Sequence, residues 1–203
     1  MILNESAILS RMLDPDESRR IIVTPLIAPT EQFGPTSLDV RLGTDFQVLK
    51  RSRVTHLDPS RPESLKPNMD NIKIAPGEAF VLHPGEFALA STLEYLKIPL
   101  DLAARLEGRS TWGRLGLQVH ATAGFVDPGF CGALTFELSN LSSVPIPLYP
   151  GVRIGQLCFF NSQATQIAYP DKTLSKYSGY YSTASSAIDK DPEYSRLLQS
   201  SVR

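Results

Sequence analysis

Residues that could do chemistry are concentrated between positions 107 and 140 of the 203-residue chain. The segment reads EGRSTWGRLGLQVHATAGFVDPGFCGALTFELSN. After Glu107 at its start, it places two arginines, a Ser-Thr pair, an Asp-Pro-Gly turn and one further glutamate within a largely apolar, strand-like alternation. Polar groups are costly to bury in such a run unless they have partners. The segment therefore predicts an active site that is built on strands.

The triplet Arg109-Ser110-Thr111 combines a guanidinium with two hydroxyls and backbone amides. This set suits an anion, and phosphate in particular. Arg114 follows Ser110 by four residues, so a short helix would place both side chains on one face. Asp127 stands at a bend, where its carboxylate could meet a sugar hydroxyl. The alternative for this aspartate is an Asx-turn that supports the Pro-Gly pair after it.

Glu137 lies in a second strand-like run, in which apolar residues at 134, 136 and 138 alternate with polar residues at 135, 137 and 139. Arg114 is the expected partner of its carboxylate. Burial raises the pKa of a carboxyl group and a nearby arginine lowers it, so such a pair could tune a general acid–base. The alternative is a rim glutamate in a surface salt bridge.

The charge balance and hydropathy limit the classes of partner. Lys and Arg number 20 and Asp and Glu number 21, a net charge of −1, so no global basic field favours nucleic acid or an anionic membrane. No apolar run approaches the roughly 20 residues that span a bilayer. The N-terminal sequence MILNES lacks the basic and apolar regions of a signal peptide. We therefore expect a cytoplasmic protein with no nucleic-acid and no membrane partner.

The ligand sets and nucleophile motifs of several enzyme classes are missing from the sequence. The three histidines, at 56, 83 and 120, are scattered and no C-x-x-C pair is present, so a protein-held catalytic zinc is not expected. A nucleophile elbow, a Walker A loop and a dinucleotide fingerprint are absent as well. Cys131 and Cys158 lie in apolar runs and are expected to be buried thiols without a disulfide framework.

Most of the chain predicts short strands joined by turns. Ser6 is a candidate N-cap for one amphipathic helix that ends near Leu13, and Pro25 argues that a strand at 20–27 lies at an edge. Short strands with Pro-Gly turns favour an antiparallel barrel or jelly roll. The other predictions are strands at 36–43 and 46–49, two strands separated by a Pro-Gly turn within 145–160, strands around Pro-Gly-Glu turns at 76–78 and 84–86, a helical turn or a strand at 99–106, a surface loop at 51–70, and a mobile polar arm from 163 onward.

Several charged residues outside the main segment have two interpretations. Asp39 and Arg41 face away from the apolar side of the strand at 36–43. They form either a solvated cross-strand face or a buried or interface ion pair. Arg105 is expected to be a surface or interface charge. His83 precedes a turn and has no neighbouring His or Cys in the sequence, so a structural role is favoured.

Five motifs in order resemble the dCTP deaminase branch of the dUTPase superfamily: GRSTWGRLGL, HATAGFVDPGF, LTFELSN, PGVRIGQLCF and SKYSG. The resemblance runs from TSLDVRLG at 36–43 to IDKD at 188–191. It implies a mainly β, distorted barrel or jelly roll of the dUTPase-like type with a few short helices. It also implies one domain over 1–203, a C-terminal lid at 163–203, and a homotrimer with active sites at subunit interfaces.

The resemblance implies zinc-independent hydrolytic deamination of dCTP to dUTP and ammonia, which hydrolyses a cyclic amidine C–N bond and supplies dUMP and dTTP synthesis. Magnesium would accompany the triphosphate. Glu137 would be general base and acid, and Arg114 would hold it. Ser110 would help to place water and phosphate, and the carbonyl of Ala123 would orient the nucleophile or the leaving amine.

The same resemblance assigns the contacts with substrate. Asp127 would bind the deoxyribose 3′-hydroxyl, and Tyr169 and Tyr180 would belong to the lid. Trp112 stands where smaller aliphatic residues are common, and packing at a subunit interface is favoured for it. The remaining implied contacts are Arg109, Ser110, Thr111, Gln156 and Lys176 at phosphate, Thr135 and Phe136 at the base, and Gly113, Arg114 and Thr122 elsewhere in the site.

Tyr180 is the main departure from the family pattern, which usually has Gln at this position. A tyrosine cannot copy the paired donor and acceptor of an amide. Four functions remain open: a deaminase that stops at dUTP, a bifunctional enzyme that continues to dUMP and pyrophosphate, a plain dUTPase, and a non-catalytic nucleotide-binding regulator. Glu137 and Ala123 argue against the plain dUTPase. Inhibition by dTTP is a further open expectation.

Overall fold

The computed structural model describes residues 1–49, 57, 69–171 and 176–188. Helix α1 spans Glu5–Met12, and Ile8 anchors it in the core with no exposed surface. Its N-cap is Asn4, whose side-chain oxygen accepts the Ala7 N–H at 3.0 Å. The expected N-cap, Ser6, is wrong by two positions because Asn4 already satisfies a free N–H of the first turn.

The strands are short except for four that run through the middle of the domain, and the mainly β prediction is confirmed. Two four-residue helices, α2 and α3, and short 3₁₀ turns at Glu17–Arg19 and Tyr169–Asp171 complete the described structure. The elements are β1 (Ile22–Thr24), α2 (Pro29–Gln32), β2 (Leu38–Leu49), β3 (Met69–Lys73), β4 (Phe80–Leu82), β5 (Phe87–Lys97), β6 (Leu102–Gly108), α3 (Ser110–Gly113), β7 (Leu117–Gln118), β8 (Phe125–Val126), β9 (Cys131–Asn140), β10 (Ile146–Leu148) and β11 (Arg153–Asn161).

Within the described residues, nine strands form one antiparallel sheet in the order β7-β9-β5-β2-β11-β6-β8, with β1 added to β5 and β3 to β2. β4 and β10 pair separately. The two end strands, β7 and β8, are joined by only six residues, 119–124. Val119 contacts both sides of the gap: its carbonyl accepts the Glu137 N–H at 3.0 Å, and its Cγ2 would lie 3.2 Å from a Cβ on Gly108. The sheet therefore curls until its two edges meet near Val119.

Alternation along the strands builds the core inside this curled sheet. Leu38, Val40 and Leu42 of β2 have no exposed surface, as their spacing predicted. On β9, Phe136 and Leu138 are fully buried, while the residues between them are partly exposed. One face of each long strand therefore supplies the core, and the other face is left for polar side chains.

Several strand and loop boundaries in the structure differ from the predicted ones. The strand expected at 20–27 is reduced to β1, which ends before the cis Thr24–Pro25 peptide bond and pairs only with β5 in the described chain, as an edge strand would. Residues 69 and 70 belong to β3 rather than to the loop predicted at 51–70, of which only Leu57 is otherwise described. The segment left open at 99–106 contributes strand β6. Both Pro-Gly-Glu turns are confirmed by positive φ at Gly77 and Gly85.

The described part of the C-terminal arm packs against its own chain. The Gly179 N–H donates to the Cys131 carbonyl at 2.7 Å, and the Ala133 N–H donates to the Tyr180 carbonyl at 2.8 Å. Thr183 is buried and donates its hydroxyl to the Asp45 carbonyl at 2.7 Å. The described residues 176–188 therefore pack on a strand edge without joining the hydrophobic core, and the mobility predicted for the arm from 163 onward stays a prediction. The predictions for 172–175 and 189–203 lie outside the described residues.

Candidate active site

The Glu137 carboxylate is held by the backbone of the segment that closes the sheet. Oε2 accepts the Ala121 N–H at 2.7 Å and the Thr122 N–H at 3.2 Å. With the bond from the Glu137 N–H to the Val119 carbonyl, three hydrogen bonds join this residue to 119–122. Oε1 accepts no hydrogen bond from any described residue. The carboxylate is therefore fixed in orientation and keeps one oxygen for a ligand.

Gly124 permits this segment to approach β6 closely. Its carbonyl accepts the Leu106 N–H at 2.7 Å, and a Cβ at this position would lie 2.8 Å from the Leu106 carbonyl oxygen. Only glycine fits there without a shift of the backbone. Ala123, just before it, is exposed, and its carbonyl forms no hydrogen bond with the described chain. The structure thus leaves this carbonyl accessible, as its predicted role requires.

The edge of β9 next to Glu137 offers a backbone donor and acceptor. Alternate residues of an antiparallel strand direct their N–H and C=O groups to the same edge. The Ala133 N–H donates to the Tyr180 carbonyl, and the Glu137 N–H donates to the Val119 carbonyl. Thr135 lies between Ala133 and Glu137, so its N–H and C=O point to the same edge, into the gap between Tyr180 and Val119. The Thr135 hydroxyl is partly engaged, because it accepts the Ala184 N–H at 3.4 Å.

Phe136 cannot contribute its side chain to a pocket on this face. It is fully buried and points into the core, where its ring meets the backbone of Gly155. The prediction that Phe136 contacts substrate is therefore wrong for its side chain, because the strand period that exposes Glu137 turns its neighbour inward.

Helix α3 presents the residues expected at phosphate. The Arg114 N–H donates to the Ser110 carbonyl at 3.0 Å, which confirms the predicted helical turn. Ser110, Thr111, Gly113 and Arg114 are exposed, and the side-chain polar groups of Ser110, Thr111 and Arg114 have no hydrogen-bond partner in the part of the chain that the structure describes. These groups are therefore free to meet an anion from solvent.

Arg114 does not pair with Glu137 among the described residues of one chain, contrary to expectation. The Glu137 carboxylate is satisfied by the backbone of Ala121 and Thr122, and Arg114 extends from the exposed end of α3. Composition alone could not show this, because backbone donors leave no signature in a sequence.

Arg109 belongs to a cluster of charged residues that the sequence did not predict. Its Nε lies 3.1 Å from Asp39 Oδ2, and its Nη1 donates to the Arg153 carbonyl at 3.2 Å. Trp112 Nε1 donates to the same carbonyl at 3.0 Å, and its ring packs against the core of its own chain. Burial raises the pKa of Asp39, and the nearby Arg109, Arg153 and Arg41 oppose the shift.

Asp39 and Arg41 do not pair with each other. Arg41 Nε lies 3.9 Å from Glu94 Oε1, and Asp39 instead meets Arg109 and Arg153. Of the two alternatives for this face, the structure shows buried ion pairs rather than a solvated face, but each residue has a different partner. In the sequence, only the D-x-R spacing on β2 indicated these ion pairs. It did not reveal the partners of Asp39, which are Arg153 on β11 and Arg109 at the end of β6.

Asp127 and Tyr169 lie at the other end of β6. The Asp127 carboxylate forms no hydrogen bond with a described residue, so the Asx-turn alternative is wrong; the turn instead uses the Asp127 carbonyl, which accepts the Phe130 N–H at 3.2 Å. The Tyr169 N–H donates to the Pro128 carbonyl at 3.0 Å. Because β8 pairs with Ala104 and Arg105, Asp127 is separated from Arg109 by roughly 20 Å along β6.

The remaining predicted site residues are dispersed. Gln156 accepts a bond from the Ser37 hydroxyl at 3.4 Å and lies across from Asp39 on β11. Tyr180 is 39% exposed, and the neighbouring Tyr181 stacks on Tyr95 with ring centroids 5.1 Å apart.

Cys131 and Cys158 are free but half-buried, so the expectation of full burial is wrong. Arg105 is exposed and pairs with Glu107 at 2.5 Å, and His83 is exposed beside its turn.

No three His, Cys, Asp or Glu residues of the described ranges come together as the ligands of a metal ion would. Across 1–49, 57, 69–171 and 176–188, no helix has the length and apolar character needed to cross a membrane.

Comparisons with known proteins match this geometry to a family. A family model described as dCTP deaminase-like matches residues 2–162. A relative from Methanobrevibacter smithii named "dCTP deaminase, dUMP-forming" is 44% identical over 180 residues, which cover 87% of this chain and 92% of the relative. A relative of the same name from Mycobacterium sp. (strain KMS) is 52% identical over 147 residues, which cover 71% of this chain and 76% of the relative.

A solved structure agrees at the level of the fold. The 2′-deoxycytidine 5′-triphosphate deaminase from Agrobacterium tumefaciens superposes with a TM-score of 0.61 at 23% identity. The match covers 82% of this chain but 50% of that structure, so this chain spans half of its length. The likeness supports the predicted dUTPase-like fold. Given the family model and the relatives, the chain belongs to the dCTP deaminase-like family.

Proposed function

We propose that this protein deaminates dCTP and then hydrolyses the resulting dUTP to dUMP and pyrophosphate. The family resemblance implied release of dUTP, with this two-step reaction as the alternative, and the sequence motifs did not separate the two. The names of the relatives, which specify a dUMP-forming enzyme at 44% and 52% identity, favour the alternative instead.

The observation that supports deamination most directly is the geometry of Glu137. Oε2 is fixed by two N–H groups, Oε1 has no partner among the described residues, and Thr135 on the same strand offers an open backbone edge. A cytosine has a donor and acceptors along one edge, which a strand's N–H and C=O groups can match. A base placed there would bring its C4 close to the free carboxylate oxygen.

The proton then moves through Glu137. The carboxylate takes a proton from water as the water oxygen attacks C4, and the ring nitrogen N3 receives it. Glu137 next takes the remaining proton of the new hydroxyl and passes it to the amine. The C4–N bond breaks, ammonia leaves and a C4 carbonyl remains, so one water enters for each ammonia released. The exposed carbonyl of Ala123 would accept a hydrogen bond from the attacking water or from the leaving amine.

The second step acts on the triphosphate. A second water attacks the α-phosphorus, the bond to the β-phosphate oxygen breaks, and pyrophosphate leaves with dUMP as the other product. Arg109 and the Ser110 and Thr111 hydroxyls bind phosphate oxygens and hold the triphosphate in line for this attack. Gln156 and Lys176 are the proposed additional contacts.

Magnesium fits this site as a companion of the substrate. Mg²⁺ usually keeps several waters and takes substrate phosphates with few protein ligands, so the triphosphate would supply most of its ligands here. Bound to the triphosphate, it would neutralise the charge that develops on the leaving pyrophosphate.

We further propose that the complete site is shared between chains of a homotrimer. Asp127 and Arg109 are separated by roughly 20 Å along β6, and Arg114 has no partner in its own described chain. One nucleotide can meet sugar-binding and phosphate-binding groups most simply when they come from different subunits. In such a trimer, Arg114 would reach the Glu137 of a neighbouring chain.

Product analysis tests the proposed reaction. The protein is incubated with dCTP and Mg²⁺, nucleotides are separated by ion-exchange chromatography, and ammonia and pyrophosphate are measured separately. We expect equal amounts of dUMP, pyrophosphate and ammonia. Accumulated dUTP without dUMP would contradict the second step, and unchanged dCTP would contradict both steps and favour a nucleotide-binding regulator. Adding dTTP, which we propose as a competing ligand of the same pocket, should slow the reaction.

A further inference from the structure

Asp39 is a nearly buried carboxylate that touches two guanidinium groups. It lies on β2 and is 8% exposed. Its Oδ2 is 3.1 Å from Arg109 Nε and 3.4 Å from Arg153 Nη1. Burying a carboxylate such as that of Asp39 is costly unless it is paired with a cation.

The strand order explains how these residues meet. β11 lies between β2 and β6, and Gln156 of β11 pairs with Asp39 on one side and with Glu107 on the other. Arg109 follows β6 directly, and its backbone N–H donates to the Ile154 carbonyl at 3.1 Å. The Arg109 side chain therefore returns across β11 to reach Asp39. Its backbone and its guanidinium are both fixed to neighbouring strands.

The contacts leave one side of the Arg109 guanidinium free. Nε lies at an ion-pair distance of 3.1 Å from Asp39 Oδ2 and Nη1 donates to the Arg153 carbonyl, whereas Nη2 has no partner within the described residues. A guanidinium is planar, so fixing two of its nitrogens also fixes the direction of the third. The free nitrogen belongs to the residue next to Ser110 and Thr111, whose hydroxyls are also unengaged.

We propose that Asp39 is a positioning residue for the triphosphate, because it holds the Arg109 guanidinium in the orientation that presents Nη2 to a phosphate oxygen. This inference rests on the proposed function, in which Arg109 binds the triphosphate. Asp39 itself touches no substrate. Arg153 balances its charge and is secured in turn by the Glu31 carboxylate at 3.1 Å, so Arg109 remains free to share its own charge with a phosphate.

Asp39 could instead weaken the binding of the triphosphate. A carboxylate beside Arg109 could compete with phosphate, in which case removing its charge would tighten binding. The two guanidiniums on Asp39 argue against competition, because Arg153 also compensates its negative charge while Arg109 Nη2 meets the ligand. Orientation then dominates over repulsion. The direction of the change in affinity distinguishes the two effects.

The test compares ligands that differ only in phosphate number. Binding of dUTP with Mg²⁺ and of dUMP is measured by calorimetry for the unmodified protein and for Asp39→Asn. We expect the affinity for dUTP to fall about tenfold, while the affinity for dUMP changes less than about twofold. Asp101→Asn is the matched control, because Asp101 forms an ion pair with Arg11 at 2.7 Å outside the site. It should lower the melting temperature and leave both affinities unchanged.

Two further variants make the result decisive. Asp39→Glu keeps the charge but displaces it, so it should also weaken dUTP more than dUMP, even if Asp39→Asn does not fold. In a double-mutant cycle with Arg109→Lys, the two losses should not add, since Asp39 acts through Arg109. Additive losses, equal losses for both ligands, or tighter dUTP binding would overturn the proposal. If the unmodified protein binds no dUTP, the proposed function fails instead.

Discussion

At the scale of single residues, the arrangement around Glu137 separates orientation from charge compensation. Two backbone N–H groups fix one carboxylate oxygen, and no cation contacts the carboxylate among the described residues of its own chain. A base held in this way can exchange a proton through its free oxygen without losing its position. That property is what a residue requires if it must take and return a proton in one catalytic cycle.

Replacing Glu137 by Gln tests this role. Gln keeps the size of the side chain and can still accept the Ala121 and Thr122 N–H bonds through its amide oxygen, but it cannot take a proton from water. We expect dCTP binding to be retained and ammonia release to fall by roughly 10²–10⁴-fold. Calorimetry and an ammonia assay measure the two quantities. The exposed turn residue Glu78 provides the control substitution, Glu78→Gln, which should change neither. Turnover above a tenth of the original would refute the assigned role.

At the scale of elements, the segment 119–124 connects the closure of the sheet to the site. It joins β7 to β8, contacts Gly108 through Val119, and presents Ala121 and Thr122 to Glu137. Any displacement of this segment changes the orientation of the carboxylate before it changes the core. Activity should therefore be more sensitive than stability to changes in its backbone.

Gly124→Ala is expected to show this difference. The added Cβ would meet the Leu106 carbonyl oxygen at 2.8 Å, so the segment must move away from β6. We expect kcat to fall at least about tenfold and the free energy of unfolding to fall by about 1–3 kcal/mol. Gly77→Ala is the control: φ is +89° in a turn with open space around it, so it should cost about 1 kcal/mol of stability without loss of kcat. An unchanged kcat in Gly124→Ala would contradict the role of the segment.

At the scale of the whole molecule, a buried acid ties α2 to the centre of the sheet. Glu94 has no exposed surface; its Oε2 accepts the Arg41 N–H at 2.8 Å and its Oε1 accepts Gln32 Nε2 at 3.3 Å. Burial raises the pKa of Glu94 from 4.5 to about 7, against the opposing effect of these donors. Arg41 Nε is itself buried without a hydrogen-bond partner among the described residues, so this pair is poorly satisfied.

The raised pKa predicts how stability depends on pH. Below about pH 4.5 the folded and unfolded states both hold the proton, and the contribution of Glu94 is fully present. As the pH rises to about 7 only the folded state retains the proton, so stability falls, by up to roughly 3 kcal/mol. Glu94→Gln removes this slope. Melting curves at several values between pH 5 and 8 should show the stability of the unmodified protein falling relative to the variant. Parallel curves for the two proteins would contradict the shift.

The separation of Asp127 from Arg109 predicts that the protein is an oligomer. If both bind one nucleotide, the functional protein contains more than one chain, and we expect a trimer. Light scattering should give a mass about three times that of the 22.3 kDa chain. Mixing inactive Glu137→Gln and Arg114→Met chains should restore activity if the two residues of one site come from neighbouring subunits. A monomeric, active protein would contradict the shared site.

The sequence by itself determined the fold class and the chemical character of the site. Alternation on β2 and β9 predicted which residues enter the core, because a strand directs successive side chains to opposite faces. Five ordered motifs predicted the family, which the family model and the relatives confirm. The residue types at 109–111, 127 and 137 predicted phosphate, sugar and proton-transfer roles, and these roles stay predictions.

Only the tertiary structure decided which partners these residues have. The Arg114–Glu137 and Asp39–Arg41 pairs that spacing suggested are replaced by contacts with the backbone of 121–122 and with Glu94, Arg109 and Arg153. These partners come from strands far apart in sequence, or from N–H groups that every residue but proline carries. Sequence patterns describe which face a side chain points to, whereas sheet order and closure decide what it meets there.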